Sequence, residues 1–499
     1  MKRQRLWGLT AAVLSGLAMP LTYGQAASPY LTTEYSYYNG KPFAEIKFMA
    51  LNYGIGSAGT DGKSWLIDPP TYELPETLRQ AIMSSTAYWT NILGGGARNP
   101  APWQIFVNTD NDQNASAATR TIKSDGVNAA SQSYDNAAFL LGEHLQEGKP
   151  VNKLTYEAAA GDVLPSGQYV FSNITIGNYM GAKRTGAING WWVDTDTVLP
   201  TNEQAADFVG TFRHELGHAL GIALAKTSSN DDKFYINSDV DNKNSWTLHL
   251  VDQNGNAAAP GKQIVTSADV TDATNSFVVD KQITADGKGY AYFVGEHVTE
   301  ALDGATFFGR SALPVNGWEL DEENKYFFEG SHLQTPGMMS HRSYSNYTSF
   351  MEVELAVMQD LGYEFDRKAY FGRSIYGNGG NIVNNQGFFR RNAAGTAYLD
   401  NTYSTVPLGI GLHIYGSDNT VTQNANIMTT GTGATGIRID GTGNTVIVPQ
   451  NTEIHADGLR GNGILVAYGS NQTVEQAGTV TASGAGGRSE EHTSELQSL

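Results

Sequence analysis

Apolar residues recur at two different spacings along this chain, and the first spacing is helical. Within residues 202–212 the apolar side chains stand three or four positions apart, which predicts an amphipathic helix with one buried face. The apolar residues of that helix are Ala205, Ala206, Phe208, Val209 and Phe212. The same spacing over residues 74–93 predicts a second helix, while apolar runs predict strands at 43–51, 103–107 and 169–176. This mixture predicts an α+β domain over residues 27–366.

The second spacing is the alternation of a strand, and it repeats along the C-terminal part of the chain. Past Asp366 the composition shifts to Gly, Asn and Thr, and similar segments begin at Gly411, Gly436 and Gly463, which are 25 and then 27 residues apart. Each segment combines an alternating apolar strand, a Gly/Asn turn and a second strand. Short strands at a fixed period predict a β-solenoid (a parallel β-helix), in which each coil covers its neighbour. We place it at residues 367–487.

The N-terminus has the three parts of a secretory signal peptide. They are the basic residues Lys2, Arg3 and Arg5, the apolar stretch 6–21, and a small-residue cleavage site at Gly24-Gln25-Ala26. We therefore expect residues 1–26 to be removed and the mature chain to be secreted. No later stretch is long and apolar enough to span a membrane as a helix.

Composition narrows the classes of protein that fit. The formal net charge of −18 argues against nucleic acid or an anionic membrane as a partner. The chain has no cysteine, which excludes a disulfide-stapled scaffold and also a latency switch in which cysteine caps a metal. A chain of 499 residues is long enough to bury a large core without such cross-links.

The last residues match a translated sequencing adapter. Residues 488–498 read RSEEHTSELQS, which is what a common adapter encodes in this frame. We therefore expect residues 488–499 not to be native, the natural sequence to continue differently after Gly487, and His492 to have no role.

The segment HELGHALG, residues 214–221, carries the chemistry. Residues four apart lie on one face of a helix, so His214 and His218 can direct an imidazole nitrogen at one metal ion. Glu215 lies beside the first ligand, where it can take a proton from a water that zinc activates. The pattern predicts one catalytic Zn²⁺ with Glu215 as general base.

A third zinc ligand must come from elsewhere, and a resemblance suggests which. HELGHALG, Gly330-Ser331-His332-Leu333 and Met339-Ser340, followed by LAVMQDLGY, resemble secreted metzincins with a long insertion, the leishmanolysin-like and matrixin-like bacterial proteins. The compact metzincin pattern has its third histidine where this chain has Leu224. The resemblance implies a zincin-like catalytic domain, an insertion at about residues 225–307, His332 as the third ligand and Met339 as the Met-turn residue beneath the metal.

Several alternatives stay open at this stage. The other candidate ligands are His341, Glu352 or Glu354, and Asp239 or Asp241, and Met338 is the alternative Met-turn residue. A tyrosine often stabilises the oxyanion in such sites, and Tyr344 and Tyr347 are the nearest in sequence. The strand at 169–176 is a candidate for the edge strand that pairs with substrate. Asp110, Asp112 and Asn114 alternate as oxygen donors for Ca²⁺, but they lack the Gly and Glu of an EF-hand, which favours an ordinary solvated loop.

The whole chain resembles a second family. A signal peptide, no cysteine, an acidic enzyme-like region and a Gly/Asn/Thr solenoid are together similar to the passenger of a Gram-negative autotransporter. The resemblance implies display at the cell surface and an outer-membrane β-barrel encoded beyond this sequence.

These observations favour a secreted or surface-displayed zinc endopeptidase that acts on a protein or peptide substrate. Two alternatives belong to other classes: an adhesin or binding passenger whose peptidase-like region is only a scaffold, and a protease that processes only its own chain. An intact Glu215 argues against the scaffold, because binding needs no base.

Overall fold

The computed structural model describes most of the chain. Its described residues are 28–56, 66–111, 115–124, 129–131, 134–156, 164–178, 191–193, 207–229, 233–321, 323–335, 337–340 and 349–492. We call residues 28–366 the head and residues 371–492 the coil stack. None of the described helices is long and apolar enough to cross a membrane.

A mixed six-stranded sheet forms the first half of the head. Its strands are β1 (Tyr30–Tyr38), β2 (Lys41–Met49), β3 (Trp103–Thr109), β4 (Ala115–Ser124), β5 (Ala129–Ser131) and β6 (Gly167–Ile176). They lie in the order β1-β2-β3-β6-β4-β5, with β2, β3 and β6 parallel and β4 antiparallel to β6. Because β5 pairs only with residues 122–124 of β4, the N-terminal half of β4 forms a free edge among the described strands.

The prediction that residues 169–176 form the substrate-facing edge is therefore wrong. They form most of β6, which lies between β3 and β4. The strand is buried on both faces over most of its length, as an interior parallel strand should be. The open edge next to β6 is instead the N-terminal half of β4, a strand with the sequence ASAATRTIKS, in which small and polar residues leave no clear alternation.

Helices cover one face of this sheet. They are α1 (Glu76–Leu93), α2 (Tyr134–Gly142, continued by a π-turn to Glu147) and α3 (Phe208–Ala219). The buried Trp89 of α1 donates its indole N–H to the backbone oxygen of Arg213 in α3, at 3.0 Å. Of the helix predicted over residues 202–212, residues 202–206 lie outside the described part of the chain. Helix α3 begins at Phe208, after Asp207, which is extended and caps the amides of Val209 and Gly210.

Short strands, two α-helices and short 3-10 turns build the rest of the head, as far as the structure describes it. The strands are β7 (Lys226–Ser228), β8 (Phe234–Ile236), β9 (Leu250–Val251), β10 (Gln263–Val265), β11 (Ser276–Val278), β12 (Ala291–Phe293), β13 (Leu313–Val315), β14 (Trp318–Leu320) and β15 (Tyr326–Phe328). The helices are α4 (Glu296–Leu302) and α5 (Glu352–Asp360). Asp360 of α5 accepts hydrogen bonds from two of the first amides of α4, those of His297 and Val298, and so caps the start of that helix.

The C-terminal region consists of parallel sheets, as the repeats predict for a β-helix-like region. One sheet stacks β16 (Phe371–Ile375), β18 (Ile410–Ile414), β21 (Thr435–Ile439), β24 (Asn462–Val466) and β27 (Arg488–His492). A second stacks β17 (Asn381–Asn384), β19 (Thr420–Gln423), β22 (Thr445–Val448) and β25 (Thr473–Gln476). A third stacks β20 (Ile427–Thr429), β23 (Glu453–Ala456) and β26 (Thr479–Thr481).

The stack is held by repeated contacts. Its core is a column of buried Ile, Val and Leu residues that point inward from successive coils, together with Phe388. At one corner the Asn419 amide side chain donates to Asn444 at 3.2 Å, so equivalent asparagines form a ladder between coils. The first coil also joins the core of the head, because Phe371 and Tyr376 belong to the same buried cluster as Leu216 of α3.

Candidate metal centre

Helix α3 places the first two histidines and the glutamate together. His214 and Glu215 are almost fully buried, and His218 lies one turn further along. Between the histidines, Gly217 allows close packing, since a Cβ there would lie 2.7 Å from the sulfur of Met339. The glycine therefore lets Met339 lie directly beneath the histidine pair.

The third histidine arrives from a distant part of the chain. The Nε2 atoms of His214 and His218 are 2.9 Å apart, and each lies 3.1 Å from Nε2 of His332. His332 is 118 residues beyond His214 in sequence. These three histidines form a group whose nitrogens can all reach one metal ion, and no carboxylate of the described residues joins it.

The Nδ1 atoms of the three histidines determine whether their Nε2 atoms can bind a metal ion. His214 Nδ1 lies 2.6 Å from the carbonyl oxygen of Met338, and His218 Nδ1 lies 2.6 Å from that of Ile222. His332 Nδ1 lies 2.6 Å from a carboxylate oxygen of Glu329. Each Nδ1 must donate to its oxygen acceptor, so in a neutral ring the proton is on Nδ1 and the lone pair is on Nε2. Three lone pairs that face one another need a cation between them.

The donor set fits zinc. Three nitrogens bound to a tetrahedral zinc ion at about 2.0–2.1 Å would stand about 3.3–3.4 Å apart. The observed Nε2 separations of 2.9–3.1 Å are only slightly shorter. Three imidazoles, each oriented by an outer acceptor, are typical of catalytic zinc rather than of calcium, which prefers oxygen ligands.

Glu329 orients the third histidine, a contact that was not predicted from the sequence. Its carboxylate accepts hydrogen bonds from the Ser331 amide at 3.0 Å and the His332 amide at 3.2 Å, as well as from His332 Nδ1. A tight turn thus fixes both the backbone and the ring of the third histidine. The only signal in the sequence is an acidic residue three positions before the histidine.

Glu215 lies in the cleft beside the three histidines. Burial raises the pKa of its carboxyl group to about 7, while His332 and the Ala117 amide oppose the rise. The cleft has a volume of about 960 Å³ and is lined by Glu215, His218, Ser331 and the edge-strand residue Ala117, among others. The glutamate can therefore reach a ligand that enters along the edge of the sheet.

The structure separates the alternative ligands from the centre. Glu354 accepts hydrogen bonds from the amides of Met338 and Met339 at 3.2 and 2.7 Å, so it holds the turn beneath the histidines. Glu352 pairs with Arg367 and Lys368 at 3.1 and 2.6 Å. Both carboxylates are buried in these contacts.

The remaining candidates divide into two groups. Asp239 and Asp241 are exposed and lie outside the histidine group. Of the polar loop proposed for calcium, residues 112–114 lie outside the described part of the chain, as do His341, Tyr344 and Tyr347. Met338 contributes its carbonyl oxygen to His214, whereas Met339 provides the sulfur beneath the helix.

Comparison with known proteins finds no family model, no curated protein and no solved structure that matches this chain. The functional assignment therefore rests on the geometry of the histidine group and its surroundings.

Proposed function

We propose that this protein is a zinc-dependent endopeptidase that is secreted or displayed at the cell surface. The observation that carries the proposal is the meeting of three Nε2 lone pairs beside a buried glutamate in an open cleft. His214, His218 and His332 would hold the zinc ion, which when bound polarises a carbonyl group and makes water acidic.

Glu215 would move the proton in this reaction. Its carboxylate takes a proton from the attacking water and then gives it to the amine that leaves when the peptide bond breaks. Burial raises the pKa of this carboxyl group, and a raised pKa makes a carboxylate a better proton acceptor. Its neighbour Ala117 fixes the carboxylate with a backbone hydrogen bond.

The edge of β4 would hold the substrate. Residues 115–119 pair with β6 on one side only, among the described strands. Ala115, Ser116, Ala117 and Thr119 line the cleft beside Glu215. An extended peptide can add to such an edge through main-chain hydrogen bonds, which places its backbone alongside the zinc ligands. A binding mode that uses the backbone favours a protein or unfolded-peptide substrate over a small molecule.

The wider assignment follows from the same features. A sheet with a free edge strand, the helix α3 below it and a methionine turn beneath the histidines support a zincin-like, metzincin-type catalytic domain. The predicted signal peptide and the parallel coils support export and an autotransporter-type passenger.

The test is zinc content and proteolysis of the purified chain. We expect one zinc per chain and cleavage of a generic unfolded protein that stops on addition of a chelator. Glu215→Gln should keep the zinc and lose the cleavage, whereas the exposed Glu475→Gln, on a coil-stack strand, should behave as wild type. Cleavage that persists in Glu215→Gln, or that ignores the chelator, would refute the mechanism. Zinc without cleavage of any foreign protein would favour self-processing, and a chain without zinc would favour the binding passenger.

A further inference from the structure

Helix α5 begins at Glu352, later in the chain than the Met338–Met339 turn, and three side chains accept hydrogen bonds from backbone amides at or just before its start. The Phe350 amide donates to the Tyr88 hydroxyl of α1 at 2.9 Å, and the Met351 amide donates to Glu354 at 2.8 Å. The Val353 amide donates to the hydroxyl of Tyr376 at 3.0 Å. Free amides at a helix start need such acceptors when they are buried. The third acceptor belongs to the coil stack.

Helix α5 is joined to the metal centre through Glu354. This fully buried carboxylate accepts the amides of Met338 and Met339 in addition to that of Met351. Met338 orients His214 through its carbonyl oxygen, and Met339 packs against Gly217. A displacement of the α5 N-terminus would therefore reach His214 through two hydrogen bonds and one packed side chain.

Tyr376 is fixed by the stack itself. It follows strand β16 of the first coil, is 5 % exposed, and lies with its ring centroid 5.4 Å from that of Tyr415 in the next coil. The same junction brings Lys368 to Glu352, the first residue of α5, at 2.6 Å. Two coils of the stack thus support the helix that holds the Met338–Met339 turn.

We propose that Tyr376 is a positioning residue for the metal centre, so that the first coils of the stack are part of the zinc-binding unit. The inference rests on the proposed zinc site. In this proposal the Tyr376 hydroxyl holds the start of α5 in place. Through Glu354, the helix in turn holds the Met338–Met339 turn that orients His214.

The experiment compares two Tyr→Phe variants in the full chain. Tyr376→Phe leaves the buried Val353 amide without its acceptor. Tyr370→Phe is the matched control: its hydroxyl donates to the backbone oxygen of Asn91 in α1 at 2.7 Å, at the same junction but away from α5. Zinc dissociation constants are measured by competition with a chelator, and the visible spectrum of the Co²⁺-loaded chain reports the ligand geometry.

Tyr376→Phe removes one buried hydrogen bond, and we expect this loss to weaken zinc binding by about five-fold. We also expect altered Co²⁺ bands in Tyr376→Phe and neither change in Tyr370→Phe. A lower melting temperature with unchanged zinc affinity and Co²⁺ spectrum would overturn the inference, because it would mean that the hydroxyl acts on stability alone.

Two further outcomes keep the test decisive. If Tyr376→Phe does not fold, Lys368→Met removes a milder support from the same helix end and should shift zinc affinity in the same direction; no shift would overturn the inference. If the wild-type chain binds zinc but cleaves no protein, the proposed peptidase activity is wrong, while the effect of Tyr376 on zinc binding can still be measured. Wild-type chain that binds no zinc would overturn both.

Discussion

The head and the coil stack reach their structures in opposite ways. In the head, the Nε2 atoms of His214 and His332 lie 3.1 Å apart although the residues are 118 positions apart, and each histidine is oriented by a different acceptor. In the stack, a strand pairs with the strand one coil later: Ile410 is opposite Thr435, and Thr435 is opposite Asn462. Unique long-range contacts build the first region, and one local contact repeated along the chain builds the second.

This difference predicts how far a substitution in each region should affect stability or metal binding. Stability in a stack is approximately a sum over coils and their interfaces, so damage in one coil should be partial. A metal centre works as a unit, so the loss of one ligand should remove its function outright. Four substitutions test this contrast.

The largest effect is expected at the third ligand. His332→Ala removes one of three nitrogens and should weaken zinc binding by at least about 1000-fold, with loss of chelator-sensitive cleavage. Zinc per chain after dialysis is the measurement. His455→Ala is the control. This half-buried histidine belongs to the stack, lies 3.2 Å from Asp457 and is not one of the proposed ligands. Normal zinc in His332→Ala together with loss in His341→Ala would move the third ligand to His341.

A buried ion-pair cluster in the stack should matter for stability alone. Asp440 lies 2.7 Å from His413 and 3.0 Å from Arg438, and all three are buried. Asp440→Asn leaves Arg438 without its counter-charge and should cost about 3 kcal/mol in urea unfolding at pH 5. Zinc content should stay normal. A loss of zinc in this variant would break the contrast between the two regions.

The stability that Asp440→Asn loses should depend on pH, because the neighbours of Asp440 shift its pKa. Burial alone would raise the pKa of Asp440, but Arg438 and His413 lower it below its ordinary value of 3.8. The folded state therefore binds the proton less tightly than the unfolded chain, and the ionised group stabilises the fold fully above pH 3.8. The difference between wild type and Asp440→Asn should hold at pH 5 and shrink as the pH falls below 3.8, through the folded-state pKa. A difference that is already lost at pH 5 would contradict the assignment.

A core substitution in the stack measures how locally damage spreads. Ile437 is fully buried inside its coil, and Ile437→Ala should cost about 2–4 kcal/mol through the cavity it leaves. Ile447→Ala is the same substitution in β22, the next strand along the chain, at a position that is only half-buried. It should cost less stability. Thermal unfolding followed by circular dichroism separates the two. Equal losses would show that the side of the strand does not decide the cost.

The same contrast explains what the sequence alone could predict. The stack was predictable because its segments repeat at a nearly constant spacing. The predicted region began at residue 367, but the repeats that were recognised begin only at Gly411 and leave out the first coil. Phe371 pairs with Ile410, 39 positions later, so the first coil is longer than the 25 and 27 residues that separate the repeats. A long excursion between two strands hides a coil from any search at a fixed period.

In the head, the local parts of the site were predictable and the long-range parts were not. His214 and His218 are one helical turn apart, so their shared face follows from sequence spacing. His332 came only from a resemblance, since no periodicity links it to the helix. The roles of Glu329 and Glu354 depend on turns that fold their carboxylates back onto backbone amides, which the spacing of residues does not reveal. The neighbours of a strand within a sheet are also non-local, which is why β6 was mistaken for the edge.

The smallest expected effect concerns the contact that orients the third histidine. Glu329→Gln keeps the shape of the side chain but replaces the charged acceptor of His332 Nδ1 with a neutral amide. Loss of such an outer contact typically weakens metal binding by about 10-fold or more. Zinc affinity measured by chelator competition is the readout.

Glu319→Gln makes this last test specific. The Glu319 carboxylate accepts a hydrogen bond from the Asn316 side chain at 2.8 Å, and its charge raises the pKa of His332. If Glu329 works by orienting the ring, zinc affinity should fall in Glu329→Gln and stay close to wild type in Glu319→Gln. Equal losses in both variants would mean that negative charge near the ring, rather than the hydrogen bond, is what the centre needs. The head would then tolerate change more as the stack does, with several groups sharing one role.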